Sequence, residues 1–265
     1  MSDVVRLEYR NVTMRFVERS GKSLTAVEGV SLSVGDGEVV SLIGPSGCGK
    51  STLLNIGSGL CAPSEGEAFV GGERVEGPNA HVAFMLQKDL LLPWRTVLEN
   101  VMFGVEIQGL PLAERKRRAQ ALLENFHLFD FAGHYPHQLS GGMRQRVALA
   151  RTLAIDPSVL LLDEPFSAVD AQTRMVLQRE LAQTLKREAK TALLITHDLL
   201  EAVTLSDRVL VMSRRPGRII EEIRIDLPQR DDPIARRQEP RVNEYVGRLM
   251  DRLDISHVEV AGASA

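Results

Sequence analysis

Several things are scarce in this chain, and each scarcity narrows what the protein can be. Cysteine occurs only at Cys48 and Cys61. Neither sits in a metal-type spacing, so a disulfide scaffold is not indicated and a reduced, cytoplasmic setting fits best. Long apolar runs are missing as well. No stretch nears the ~20 residues needed to cross a bilayer, and runs such as Val159 to Leu162 are strand-length and flanked by charges. The N-terminus, Met-Ser-Asp-Val-Val-Arg, has neither the basic start nor the apolar run of a signal peptide. A soluble protein is expected, with any membrane role exercised through a partner. Charge imbalance is small: a formal net charge of -3 makes no bulk electrostatic case for nucleic acid.

What is present is ordinary for a globular protein with a real core. The 265 residues are 44% hydrophobic and 25% charged, enough for one large α/β domain or two small ones. The first third reads as strands with Gly-rich turns: Val5 to Tyr9, Val27 to Val34, Glu38 to Ile43, Glu67 to Val75 and His81 to Leu86, with a helix over Lys50 to Leu60. The middle suits helices at Val97 to Gln108, Leu112 to Phe126 and Gly141 to Ala154, with no strand between them. The last third alternates again, with strands at Ser158 to Leu162, Thr191 to Thr196 and Arg208 to Met212 around helices from Ala171 to about Lys190 and Leu199 to Leu205. Alternation of this kind predicts a mainly parallel sheet covered on both faces. The expected organisation is a domain over residues 1–228, with a helical subdomain at about 90–155 inserted in it. A tail over 229–265 carries one amphipathic segment, Tyr245 to Leu253, and is expected to pack loosely.

Two patterns carry chemistry. Gly44-Pro45-Ser46-Gly47-Cys48-Gly49-Lys50-Ser51-Thr52 follows a strand and opens a helix, the setting in which a Gly-x4-Gly-Lys-Ser loop cradles phosphates. The glycines let the backbone wrap the anion, and the N–H groups of the loop and helix start point at it. Lys50 would neutralise β- and γ-phosphates and Ser51 would offer its hydroxyl to Mg²⁺. Cys48 is either a small filler or a thiol beside bound phosphate. The second pattern is an apolar strand, Val159 to Leu162, that ends in Asp163-Glu164-Pro165. Ligands of open α/β sheets bind beyond the C-terminal strand ends, so these acids fall near the phosphate loop if the two strands are neighbours. Asp163 would help hold Mg²⁺ and Glu164 would orient or deprotonate the attacking water.

Upstream of the acids, Leu139-Ser140-Gly141-Gly142-Met143-Arg144-Gln145-Arg146 opens a helix, a second anion-binding terminus or a capped helix start. Here the chain resembles the ABC-transporter ATPases: this peptide has the form of their signature and stands in its place relative to Asp163-Glu164. The resemblance spans roughly Val5 to Arg218. It implies a P-loop NTPase of α/β class, with a mainly parallel core sheet, an N-terminal antiparallel β subdomain and an inserted helical subdomain, using ATP and Mg²⁺. By the same resemblance Gln87 reaches the metal and the attacking water, and Ser167-Ala168-Val169-Asp170 is a dimer-contact loop with Asp170 at the contact. His197 contacts the γ-phosphate. Phe16 either stacks on adenine or belongs to the core. The family further implies a head-to-tail pair, a homodimer or a similar paired subunit, in which Ser140, Gly141, Gly142 and Gln145 of one copy cap ATP held by Lys50 of the other. Met143 stands where the signature often has Gln, a departure its backbone can absorb.

Partners follow from the same likeness. Leu90-Leu91-Leu92-Pro93-Trp94 reads poorly as a surface loop. It is either a groove for membrane permease subunits, docking near Gln87 to Trp94, or part of the helical subdomain's own core. The run Leu91 to Val101 is similar to importers of nitrate, sulfonates, taurine and thiamine precursors. That implies an extracytoplasmic solute-binding protein as an indirect partner, a peripheral place on the cytoplasmic face of the membrane, and no nucleic acid. Exporter and lipoprotein-release ATPases would share every catalytic residue. The basic clusters Arg115 to Arg118 and Arg214-Arg215 read as solvated faces first, with lipid headgroup contact as the alternative.

Overall fold

The structure, a computed structural model, describes residues 4–17, 21, 23–167 and 169–253. Two sheets form it. The first is antiparallel in the order β2 (Ser23–Gly35), β1 (Val5–Val17), β4 (Glu65–Val70), β5 (Glu73–Arg74). The second has six strands in the order β10 (Ile219–Arg224), β9 (Arg208–Met212), β3 (Val39–Ile43), β8 (Thr191–Ile195), β7 (Val159–Asp163), β6 (Val82–Met85). Only β10 runs against its neighbour; the other pairs are parallel. β3, β7 and β8 are buried along their whole length, as strands covered on both faces must be.

Alternation along these strands divides the core. Leu160 and Leu162 of β7, with Ala192 and Leu194 of β8, join a cluster with the helices α2 (Val97–Ile107), α3 (Leu112–Asn125), α4 (Gly141–Ala154) and α5 (Ala171–Arg187). Val159 and Leu161, with Leu193 and Ile195, face the other way onto α1 (Lys50–Gly57) and the antiparallel sheet. Side chains two apart share a face, so one sheet separates two cores. α2 to α4 all fall between β6 and β7, with no strand among them. No helix among the described residues is long and apolar enough to cross a membrane.

Three expectations need correcting. β1 runs on past Tyr9 to Val17, because Asn11 takes a left-handed turn (φ 51) and the register shifts between Tyr9 and Val12. Asn tolerates that conformation better than most residues, and the bulge breaks the alternation that would have marked a continuing strand. β10 is an unforeseen edge strand. Last, the tail packs firmly. Beyond β10, α7 (Pro233–Arg236) and α8 (Val242–Arg252) close over α6 (Leu199–Leu205), with Val242 and Leu249 buried beside Ala202, Val203 and Val209. Residues 254–265 of the tail, and Ala168 of the dimer-contact loop, lie outside the described residues.

Candidate active site

The C-terminal ends of β3, β6, β7 and β8 build one cleft. β3 and β7 are not neighbours, as the sequence reading had required for the acids to approach the loop. β8 lies between them, and Ile195 is level with both Leu42 of β3 and Asp163 of β7. The phosphate-type loop and the acids therefore flank the end of β8. On the far side, Met85 of β6 pairs with Leu162 of β7, so Gln87 and Glu164, each two residues on, leave the sheet together. His197 leaves β8 two residues beyond Ile195. Register alone gathers three polar side chains at one edge.

Their contacts follow. Gln87 Nε2 donates to Glu164 Oε2 at 2.9 Å, and His197 Nδ1 lies 3.4 Å from the same oxygen. Glu164 has a left-handed backbone (φ 48), while its N–H donates to the Ile195 carbonyl at 3.0 Å. A non-glycine residue in that region is uncommon and, for a side chain held at a polar cleft, is an observation that points to function. Asp163 behind it is buried. Burial pushes its carboxyl above the usual range and the neighbouring Glu164 pushes the same way, against a hydrogen bond from Ser51 and the charge of Lys50.

The loop before α1 turns on Gly49, which caps the helix at φ 106; a Cβ there would sit 2.4 Å from Val27 Cγ1 and 2.9 Å from the Ala26 carbonyl oxygen. Only glycine fits. Lys50 Nζ donates back to the carbonyls of Gly44 (2.7 Å) and Pro45 (3.1 Å), so its ammonium is poised inside the loop. Cys48 is buried in the core cluster under that loop, the filler reading, although its Sγ is 3.8 Å from Lys50 Nζ. Arg215, read from sequence only as part of a basic pair, donates to the Gly47 carbonyl through Nε (3.0 Å) and Nη2 (2.6 Å) and so clasps the loop from outside. No local signal pointed to it, since the contact spans 168 residues. The cleft, of about 410 Å³, is lined by Phe16, Ser46, Lys50, Gln87, Glu164 and Arg215 among others. Phe16 is 44% exposed at its rim and is not a core residue.

Among the described residues no three His, Cys, Asp or Glu side chains form a metal cage. Ser51, Gln87 and Asp163 still suit Mg²⁺. They offer a hydroxyl, an amide and one desolvated carboxylate, all hard oxygen donors, and this ion normally completes its shell with water and phosphate oxygens.

The Ser140-Gly141-Gly142 helix start stands apart from the cleft; none of residues 139–146 lines it. Ser140 caps α4, its Oγ accepting from the Met143 N–H at 3.2 Å. A Cβ on Gly142 would lie 3.1 Å from Thr173 Cγ2 and 3.3 Å from Val169 Cγ1, so the helix start abuts the loop that Asp170 ends by capping α5. Gln145 does not suit its expected role. It is 2% exposed and its Nε2 donates to the Pro165 carbonyl at 2.8 Å, tying α4 to the turn after Glu164 instead of facing a second copy. After Gln87 the segment divides: Leu91 is 8% exposed and joins the helical core, whereas Leu90 and Trp94 stand out, Trp94 at 71%. Asp89 binds Arg144 of α4 at 3.0 Å, and Arg151 donates to the carbonyls of Asp89 and Leu90. On α3, Arg117 and Arg118 pair with Glu114, as a solvated face would.

Comparison with known proteins matches the ABC transporter family over residues 27–167. An uncharacterized ABC transporter ATP-binding protein of Methanocaldococcus jannaschii is 48% identical over 228 residues, 86% of this chain and 85% of that protein. A taurine import ATP-binding protein of Roseobacter denitrificans is 45% identical over 219 residues, 83% of this chain and 82% of its own length. Among solved structures, a dimeric ATP-binding cassette in a post-hydrolysis state with ADP and Pi superposes with a TM-score of 0.75 at 32% identity, covering 83% of this chain and 98% of that one.

Proposed function

Because the chain belongs to the ABC transporter family, we propose that it is the ATP-hydrolysing subunit of an importer for a small organic or inorganic anion, such as taurine, a sulfonate or nitrate, or for a thiamine precursor. Hydrolysis of ATP is the family's chemistry, and the relatives named for taurine import favour that class of cargo. In this reading the triphosphate takes the place of the Gly44 and Pro45 carbonyls as partner of Lys50, while the N–H groups opening α1 face its oxygens. Phe16 stacks on the adenine. Ser51, Gln87 and Asp163 would hold Mg²⁺, which when bound neutralises charge on the β- and γ-phosphates.

Glu164 holds the attacking water in line and accepts its proton as the water oxygen bonds to the γ-phosphorus and the bond to the bridging oxygen breaks, leaving ADP and phosphate. The Gln87 and His197 contacts both fall on Oε2 of Glu164, which leaves Oε1 to face the water. His197 steadies the γ-phosphate. The Ser140-Gly141-Gly142 helix start of a second copy supplies the missing wall of the site, with Asp170 at the contact. Gln145 is left out of that set because its side chain is committed to Pro165. Leu90 and Trp94 face permease subunits at the cytoplasmic side of the membrane, and an extracytoplasmic solute-binding protein would deliver cargo to that permease.

One observation carries the reading: Gln87, Glu164 and His197, from three separate strand ends, meet within 3.4 Å beside the loop that holds Lys50. Glu164→Gln tests it. The variant should bind ATP normally, lose about a hundredfold or more in turnover, and accumulate as an ATP-dependent dimer on gel filtration. Normal hydrolysis would remove Glu164 from the role of base. Co-purification from native membranes, followed by a screen for the solute that stimulates hydrolysis, tests the cargo.

A further inference from the structure

The underside of the His197 loop is polar to an unusual depth. Glu201, in the first turn of α6, is 3% exposed, and Gln178, in the middle of α5, is 1% exposed. Gln178 Nε2 donates to Glu201 Oε2 at 3.0 Å. The other end of the same amide is also occupied, because its Oε1 accepts from Arg237 Nη2 at 2.8 Å. Arg237 follows α7 in the tail. A buried amide between a guanidinium and a carboxyl group is fixed at both ends here, its oxygen to the cation and its nitrogen to the carboxyl oxygen. The chain of bonds therefore has a direction, and it ends under the cleft.

From Glu201 the bonding continues upward. Thr196 and Glu201 line the same crevice below His197, and the two are joined through Asp198. The Asp198 N–H donates to Thr196 Oγ1 at 3.0 Å, and the Glu201 N–H to Asp198 Oδ1 at 3.0 Å. Thr196 and Asp198 are thus stapled on either side of His197, whose ring lies 3.4 Å from Glu164. Arg174 of α5 lies 3.8 Å from Asp198 and also holds the Val169 carbonyl at 3.2 Å. A narrow crevice lined by Glu201, Thr196, His197 and Glu164 joins the two ends.

The tail is anchored well enough to act through this chain. Arg236, fully buried, donates to the carbonyls of Thr204, Ser206 and Leu227. Asp232 caps α7 and binds Arg179 of α5 at 3.1 Å, and Asp231 binds Lys186 at 2.7 Å. α7 is held to both α5 and α6, so Arg237 meets Gln178 at a fixed point.

We propose that the C-terminal tail sets the position of His197 through the side-chain series Arg237–Gln178–Glu201, which makes Arg237 and Gln178 positioning residues for ATP hydrolysis. This rests on the assignment of His197 to the γ-phosphate. Losing the guanidinium leaves the Gln178 oxygen unpaired and its amide free to turn, which releases Glu201 and slackens the Thr196–Asp198 staple. Nucleotide binding, made by the loop around Lys50, is untouched.

The test is steady-state hydrolysis by the full chain. Arg237→Ala and Gln178→Met should each lower kcat about tenfold while KM for ATP stays within roughly twofold. Arg237→Lys, which restores a cation, should recover most of the loss. In a His197→Ala background, Arg237→Ala should cost nothing further, since the element it positions is gone. Gln178→Met keeps the side-chain volume and serves where Arg237→Ala loosens the tail. Wild-type kcat in both variants, a KM that rises in step with the fall in kcat, or additive losses in the His197→Ala background would each overturn the relay. Normal hydrolysis by His197→Ala alone would instead overturn the assignment of His197, a result separable from the others.

Discussion

Glu201 and Lys50 show how differently a buried charge can be used. Burial pushes the Glu201 carboxyl from 4.5 up to about 7, against its hydrogen bonds from Thr196 and Gln178. Between those two values the folded protein keeps a proton that the unfolded chain has lost. Stability therefore falls as pH rises through that window and stays lower above it. Glu201→Gln removes the penalty. At pH 8 it should be more stable than the parent by at most about 3 kcal/mol, the gap closing toward pH 4.5, and melting curves at pH 5 and 8 would show it. An equal Tm difference at both values would contradict the burial argument. Lys50 has its charge answered by loop carbonyls that a phosphate can replace. Lys50→Ala should weaken nucleotide affinity about tenfold or more, read by titration with a fluorescent ATP analogue; unchanged affinity would contradict the loop's role. At this scale the sequence was legible where a residue's position follows from its own motif: Lys50 and Ser51 line the cleft and Asp163 ends a buried strand, as expected. Gln145 was misread because spacing on a helix does not say which face meets the neighbouring turn. Arg215, Gln178 and Arg237 were invisible because their partners are 168, 23 and 59 residues away.

The segment after β6 and the loop before α1 make the element-scale case. The sequence reading left the leucines between Gln87 and Trp94 undivided, and the structure divides them: a chain turning at Leu90 (φ 43) sends Leu91 inward and leaves Leu90 and Trp94 outside. Replacing both Leu90 and Trp94 by serine should leave the melting temperature nearly unchanged while severing solute-stimulated hydrolysis in the assembled transporter. Leu91→Ser, by contrast, should cost about 2–5 kcal/mol, because it empties a core site and buries a hydroxyl. If the double variant melted early and Leu91→Ser did not, the division would be reversed. Strand and helix types were legible because apolar runs and 3.6-residue patterns are long here. α4, α6 and β9 even have the expected bounds. β10 was not legible, since a short edge strand, Ile-Ile-Glu-Glu-Ile-Arg, next to a Pro-Gly turn lacks the alternation that marks a strand. The length of β1 was hidden by its own bulge.

At the scale of the whole molecule, the chain carries the candidate ATP-site motifs but does not bring them to one place. The cleft around Lys50 is lined by nothing from residues 139–146, and Ser140 is exposed on another face of the fold. The tail, expected to pack loosely, is instead wedged against α5 and α6. The reason lies in Arg236, whose burial no hydropathy pattern would suggest because its partners are backbone carbonyls, and in half-buried Arg237, which binds one amide. The separation of Lys50 from Ser140 has a consequence that mixing can measure. Lys50→Ala removes the lysine side of a site, and Ser140→Arg blocks the face that would cap a partner's nucleotide; each variant alone should be inactive. If sites form between two copies paired head to tail, a mixed dimer has one doubly damaged site and one intact site. Random pairing makes half of the dimers mixed, so an equal mixture of the two dead variants should recover about a quarter of the parent activity, provided that one intact site turns over at its usual rate. Each chain carrying its own complete site would recover nothing at any ratio. Recovery should also rise and fall with total protein concentration, as a second-order association requires, whereas a contaminant's activity would scale with its amount alone.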